Sequence, residues 1–303
     1  MSVLSPPRPT AQAGDDTRVV PARHPWRWAG AALVLVLLAQ FVHGLATNPG
    51  WEWHTFTGYI FEKSVLHALL VTLELTIAGA ALGFLGGIPL AAMRLSPSPI
   101  LRTVSWTYTW VFRSVPLIVQ LLFWANLGYL YEKLQFGLPF GPGWSFATKD
   151  LIGSFGAALL GLALHEAAFA GEIIRSGLLS VDQGQHEAAA ALGLPRHRQF
   201  FRIVLPQAMR AILPNAANLL VDLLKSTSIV YVLAIGELFY QVQVVYGRNG
   251  RVVPLLMVAT VWYVVLTALL SILQFYVERY FARGAVRTLP PTPFQRLKAA
   301  IKR

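Results

Sequence analysis

The 303-residue chain contains no cysteine. That excludes disulfides, thiolate nucleophiles and cysteine-type metal sites, and leaves the redox compartment open. Charge is scarce too. Only 13% of residues are charged, where a soluble globular domain carries about 25%. Acidic residues are the scarcer sign, 14 Asp and Glu against 25 Lys and Arg. The chain lacks the pattern G-x-x-x-x-G-K-[ST], so it cannot cradle nucleotide phosphates by that route. Its apolar runs are too long for the alternating segments of about ten residues that build a transmembrane β-barrel.

Apolar residues fill the space. They make up 55% of the chain, and the mean hydropathy is +0.53. Six stretches approach the roughly 20 residues that cross a bilayer as a helix: 28–46, 65–93, 103–131, 151–174, 209–239 and 254–282. The reading is an all-α polytopic membrane protein. The second stretch carries Gly86, Gly87 and Pro89 near its end, and the third is interrupted by Arg113 and Pro116. Residues 1–25 are polar and rich in Pro, Ala and Arg, and are expected to form a disordered cytoplasmic tail. The apolar run after them lacks a small-residue cleavage site and reads as a retained helix rather than a signal peptide.

A net charge of +11 raises nucleic acid as a partner. The distribution argues against it, because the arginines flank apolar runs instead of forming one basic face. A positive excess on cytoplasmic loops accounts for them. One side collects Arg8, Arg18, Arg23, Arg27, Arg94, Arg102, residues 175–210 and the basic tail 284–303. The other keeps Lys63, Lys133 and Lys149 beside Glu62, Glu132 and Asp150, with Arg248 and Arg251. Both termini are therefore expected in the cytoplasm. Trp51, Trp53, Tyr59, Tyr129, Tyr131 and Trp144 gather at the outer span ends, where an interfacial aromatic belt is expected; a docking surface for an outside partner is the alternative. GLPFGPGW, residues 137–144, reads as a rigid, turn-rich outer connection.

The polar segment HEAAAALGLPRHRQFFRIVLPQAM, residues 186–209, stands out. Asp182 can cap a helix beginning near Gln183. Glu187 lies in its first turns, and Ala188 to Ala191 favour helix while presenting almost no side-chain bulk. Gly193 can end it in a left-handed conformation, and Pro195 prevents continuation. A second, basic helix is expected over 196–205, with Pro206 starting or kinking the next span. The segment reads as a helical elbow with a flat alanine face suited to a groove in another protein.

Glu187, Ala188, Ala189, Gly193, Ile203, Leu205 and Pro206 fit the pattern E-A-A-x3-G-x9-I-x-L-P. This resembles the cytoplasmic signature of permease subunits of ABC importers. RSVPLIVQLLF (113–123, including Gln120), AAFAGEIIRSGLLSVDQGQHEAAAALGL (167–194), DLLKSTSIVYVLAIGEL (222–238) and TLELT (72–76) are similar to segments of the polar amino-acid branch, the histidine, glutamine and arginine type. The likeness covers about residues 65–280.

The resemblance implies a type I ABC importer permease fold, a five-helix core preceded by one extra helix, in a bacterial inner membrane. It implies a domain plan of 26–60 for the extra helix and outer loop and 61–283 for the transmembrane domain, with the elbow at about 180–207. The elbow would dock into a separate ATPase dimer. A solute-binding protein would deliver substrate from outside, and a second permease subunit, identical or not, would complete the pore. Nothing implies a cofactor, a metal or a catalytic residue in this chain. Two departures bear on substrate: Ser226 follows Lys225 where the family has Asp, and Glu166 follows His165 where it more often has Ser.

Ionisable groups inside spans are costly and face protein or water. Glu172 and Arg175, three apart near a helix end, suit a local ion pair. Asp222 and Lys225 are likewise three apart. Arg113 fits either an interface or a cavity. Glu166 has no local partner and must be protonated, paired with another helix or open to water. Glu74 is similar, with Arg113 or Lys225 as partners. An amino-acid path needs groups for an ammonium and a carboxylate. Glu166 and Asp222 are candidates for the first, and Arg113 or Lys225 for the second, with Glu74 a further path candidate. Gln120, Ser226, Thr227 and Ser228 are candidate polar lining. Two rivals remain. An ion-coupled secondary transporter leaves the elbow without a role. A membrane enzyme would need His at 169 to complete H-E-x-x-H with His165 and Glu166, but Phe169 stands there.

Overall fold

A backbone in a bilayer has no water to bond, so it satisfies its polar groups within helices. The computed structural model follows that rule, and it describes residues 25–137, 143–148 and 153–281. Both tails, the tip of the outer loop and the first residues of the fourth apolar stretch lie outside the described residues. Among the described residues five helices are long and apolar enough to cross a membrane, and a bent pair brings the number to as many as six.

The chain divides into two compact units at Trp51 and Glu52. The first holds α1, Pro25–Thr47, and a 3-10 turn at Pro49–Trp51. Helix α1 is apolar around its whole circumference, the pattern of a lipid-immersed helix rather than an amphipathic one.

The second unit begins with α2, Trp53–Tyr59, and α3, Lys63–Leu95. Glu62 caps α3 by accepting from the Ser64 amide at 2.9 Å. A short turn leads to α4, Pro99–Ser114, and Ser105 Oγ ties that hairpin by donating to the Leu90 carbonyl at 2.8 Å. Pro116 has no amide hydrogen and breaks the helix, so α5, Leu117–Ala125, turns 102° away from α4. After α6, Leu127–Leu130, the outer loop forms an antiparallel ribbon of β1, Lys133–Gly137, and β2, Gly143–Ala147. This ribbon departs from the purely helical expectation. It sits in the glycine- and proline-rich stretch, where helix is disfavoured.

Helix α7, Ser154–Leu179, packs along α3. Gly79, Gly83 and Gly87 recur every fourth residue on α3, and a Cβ at each would meet Leu162, Glu166 or Ala170 of α7. Small residues at this spacing let transmembrane backbones approach closely. The elbow contributes α8, Gln183–Ala191, and α9, Arg196–Gln199. A π-turn at Phe200–Val204 then runs directly into α10, Leu205–Ser226. The expected boundary at Pro206 is thus a widened turn. The Leu205 amide reaches back to the Phe200 carbonyl, and the wider turn accommodates a proline that can donate nothing.

Helix α10 tightens into a 3-10 stretch, Thr227–Leu233, and ends at Ala234 with φ +55°. The fifth apolar stretch is therefore shorter than its hydropathy implied. A separate helix α11, Leu238–Asn249, follows before α12, Val252–Phe281. Two apolar clusters hold the unit together. Leu224, Leu238, Val242, Leu255 and Val258 form one with Val65 and Leu69. Leu75, Leu121, Leu162, Leu223 and Val230 form the other.

Candidate functional site: an intramembrane polar path and a surface elbow

The α4–α5 break leaves backbone carbonyls without helical partners. The Gln120 amide nitrogen takes two of them, Phe112 at 2.9 Å and Val115 at 2.8 Å. The same nitrogen lies 3.1 Å from Nδ1 of His165 on α7, and its Oε1 is buried without a hydrogen-bond partner. His165 packs on Phe169, and the Arg113 guanidinium lies over that ring, 5.1 Å from its centroid. The side chains expected from sequence at 113 and 120 thus meet at one joint, joined by His165 and Phe169.

Glu166 lies deeper on the same helix and is 4% exposed. Asp222 of α10 is within Coulombic range of it. Asp222 pairs with Lys225 at 2.7 Å, one turn along α10. That pair is exposed, its side chains 68% and 56% accessible for Asp222 and Lys225. A charge pair on the outside of a membrane helix is tolerated where it faces water or another protein, not hydrocarbon. Thr227 is buried and donates to the Leu224 carbonyl at 2.7 Å, and Ser228 donates to Lys225 O at 2.6 Å. These hydroxyls occupy the carbonyls freed where α10 becomes 3-10.

Glu74 pairs with neither Arg113 nor Lys225; among the described residues no ion pair reaches it. It is exposed and lines a cavity of about 510 Å³ with Ser64, His67, Phe155, Gly236 and Gln241. Glu172 and Arg175 form the expected local pair at 2.8 Å, and Arg94 approaches the same carboxylate at 3.8 Å.

Glu237 is a buried acid that the sequence reading passed over. It accepts from the Phe239 and Tyr240 amides at 2.9 and 2.7 Å and from the Tyr263 hydroxyl at 3.2 Å. The fully buried Thr72 accepts from the Leu238 amide at 3.0 Å beside it. A carboxylate at the N-cap of an apolar helix was the available signal: Gly236-Glu237 precedes the apolar start of α11.

The elbow is built as its residues dictate. Asp182 accepts from the Gly184 amide at 2.8 Å. Gly193 adopts φ +65°. Its amide bonds to Ala190 O at 2.9 Å and the Leu194 amide to Ala189 O at 3.1 Å, the paired closure of a Schellman motif. Ala189 is buried, whereas Glu187, Ala188, Gly193 and Pro206 are exposed and Ile203 and Leu205 half-buried. Gln199 reaches Nδ1 of His186 at 3.0 Å and Gln207 donates to Gln185 at 3.2 Å, so α8 is tied to the helix that follows. Leu179, Leu192 and Phe201 remain exposed around it.

Residues 83–283 match the family model described as binding-protein-dependent transport system inner membrane component. The chain belongs to that family. It is 40% identical over 280 residues to the arginine transport system permease protein ArgU of Corynebacterium glutamicum, covering 89% of this chain and 84% of the relative. It is 33% identical to the glutamate/aspartate import permease protein GltK of Escherichia coli, over 71% of this chain and 92% of that one. Among solved structures it resembles an amino acid ABC transporter with histidines. That match has a TM-score of 0.61 and 30% identity, and covers 72% of this chain and 94% of that chain. The chain is thus a multi-pass inner-membrane permease subunit of a binding-protein-dependent importer, with the type I permease fold.

Proposed function

We propose that this permease forms half of a pathway for a polar amino acid or a related compound, with both termini in the cytoplasm. The observation that carries the reading is the elbow. A capped, glycine-closed helix with an exposed small-residue face, tied by Gln199 and Gln207 to the base of α10, can pass a push into the helix that bears Asp222 and Lys225. Glu187, Ala188, Ala189, Gly193, Ile203, Leu205 and Pro206 make that contact with a separate ATPase dimer. The exposed Asp222–Lys225 pair supports a second permease subunit, since two halves would enclose the charges in an aqueous cavity. Glu166 and Asp222 serve the ammonium of the substrate, Arg113 or Lys225 its carboxylate, and the 227–228 hydroxyls line the path. The names of the relatives favour amino acids, and those of opposite charge type leave the side chain open.

The test is uptake into proteoliposomes holding the permease, its co-purifying ATPase and its binding protein. Uptake that requires ATP and binding protein supports the reading. Uptake driven by an ion gradient without the ATPase would establish a secondary transporter instead.

A further inference from the structure

The turn between α3 and α4 brings Arg94, in the last turn of α3, beside Arg102, in the first turns of α4. With Pro99, Thr103 and Trp106 they line a cavity of about 260 Å³. A second cavity of about 360 Å³ shares Arg94 and Trp106 and extends along α4 past Trp110 to Arg113. The Trp106 and Trp110 rings stack in parallel, 6.1 Å apart and 6° from coplanar. Both rings are about half exposed.

The charges do not cancel here. Among the described residues Glu172 is the one acid lining either cavity, and Arg175 already holds it at 2.8 Å while Arg94 stands at 3.8 Å. Among the described residues Arg102 has no carboxylate partner. An arginine next to stacked indoles, within a turn of the end of a membrane hairpin, sits at headgroup depth. A guanidinium there meets phosphate oxygens in a bidentate geometry that lysine cannot match. Basic pockets between transmembrane helices at the interface take anionic head groups.

We propose that this corner binds an anionic phospholipid. Its phosphate lies between Arg94 and Arg102, Trp106 packs on its glycerol region, and its acyl chains run on along Trp110. A free phosphate would gain nothing from the half-exposed indoles, so the lipid is the occupant that uses the whole corner.

The test uses the full transporter purified in mild detergent and analysed by native mass spectrometry, with phosphatidylglycerol or phosphatidylcholine added back. Wild type should retain phosphatidylglycerol in preference. Arg102→Gln should weaken that retention about fivefold, in line with the contribution of one basic residue near an anionic leaflet. Arg102 is exposed and, among the described residues, without a carboxylate partner, so this variant tests binding without disturbing the Glu172 cluster; Arg94→Gln is the second arm. In nanodiscs, brominated phosphatidylglycerol should quench tryptophan emission more than brominated phosphatidylcholine, and the excess should fall in Trp106→Phe. Equal retention in Arg102→Gln would overturn the proposal. So would displacement of the lipid by millimolar inorganic phosphate, which would point to a free anion. Disulfide trapping of Trp106→Cys between two copies of this cysteine-free chain would instead mark the face as an interface.

Discussion

Gly83 of α3 faces Glu166 of α7 with no room for a side chain: a Cβ built on Gly83 would lie 2.5 Å from the Glu166 Cβ. The buried acid is therefore positioned by a missing methyl group on the neighbouring helix. Gly83→Ala must push the helices apart or displace Glu166, and overpacking of this kind costs about 1–3 kcal/mol. The expected result is a lower thermal midpoint in detergent together with reduced transport. Gly58→Ala, where nothing lies within 4 Å, serves as the control and should leave both intact.

That relationship separates what could be read in the chain from what could not. The spans were legible because their apolar length is a bulk property. The elbow was legible because Asp182, the alanines, Gly193 and Pro195 each act on their immediate neighbours. The contact between Gly83 and Glu166 joins residues far apart in sequence, and no local pattern announces it. Pro116 marked a break, but its sequence neighbours do not show that the 102° turn is met by the Gln120 side chain and by Leu121 packed against Gly161. Helix α11 was not legible as a helix: only Leu238 and Phe239 fall within the apolar stretch 209–239, and Gln241, Gln243, Arg248 and Asn249 make the rest look like an outer connection. The cap at Glu237 that separates it was read as part of a family segment rather than as a helix start.

Gln120 gives a prediction that distinguishes a scaffold from a substrate contact. Its amide nitrogen serves the Phe112 and Val115 carbonyls at the bend. Gln120→Leu keeps much of the volume and leaves both carbonyls bare, at about 1–3 kcal/mol for each group left unsatisfied. The expected result is a clear drop in thermal midpoint alongside lost uptake. A raised KM with an unchanged midpoint would instead make Gln120 a substrate ligand.

Gly193 tests the elbow through its backbone alone. Its φ of +65° disfavours any residue with a β-carbon, yet nothing lies within 4 Å of the position a Cβ would take. Gly193→Val therefore strains the turn without a clash, by about 1–2 kcal/mol, and Gly193→Asn should be far milder because Asn tolerates this region. In reconstituted transporter, Gly193→Val should keep membrane insertion and lower the uptake obtained per ATP hydrolysed, with Gly193→Asn close to wild type. Normal coupling in the valine variant would remove the elbow from the transmission path.

Glu166 carries the prediction about substrate binding. No hydrogen bond reaches its carboxylate among the described residues, Asp222 lies within Coulombic range, and Lys225 already neutralises Asp222. An acid without a partner has room for one positive group, and the ammonium of an amino acid would supply it. Glu166→Gln preserves shape and removes the demand. Hydrogen bonds to charged groups contribute about 1.5–3 kcal/mol, so kcat/KM for uptake should fall by about tenfold or more, for cationic and neutral amino acids alike, since both carry the α-ammonium. The thermal midpoint should hold or rise, because a buried carboxylate without a partner is replaced by a neutral amide. Unchanged uptake of every substrate in this variant would assign Glu166 to packing against Gly83 and leave ligand recognition to Asp222 and the cavity beside Glu74.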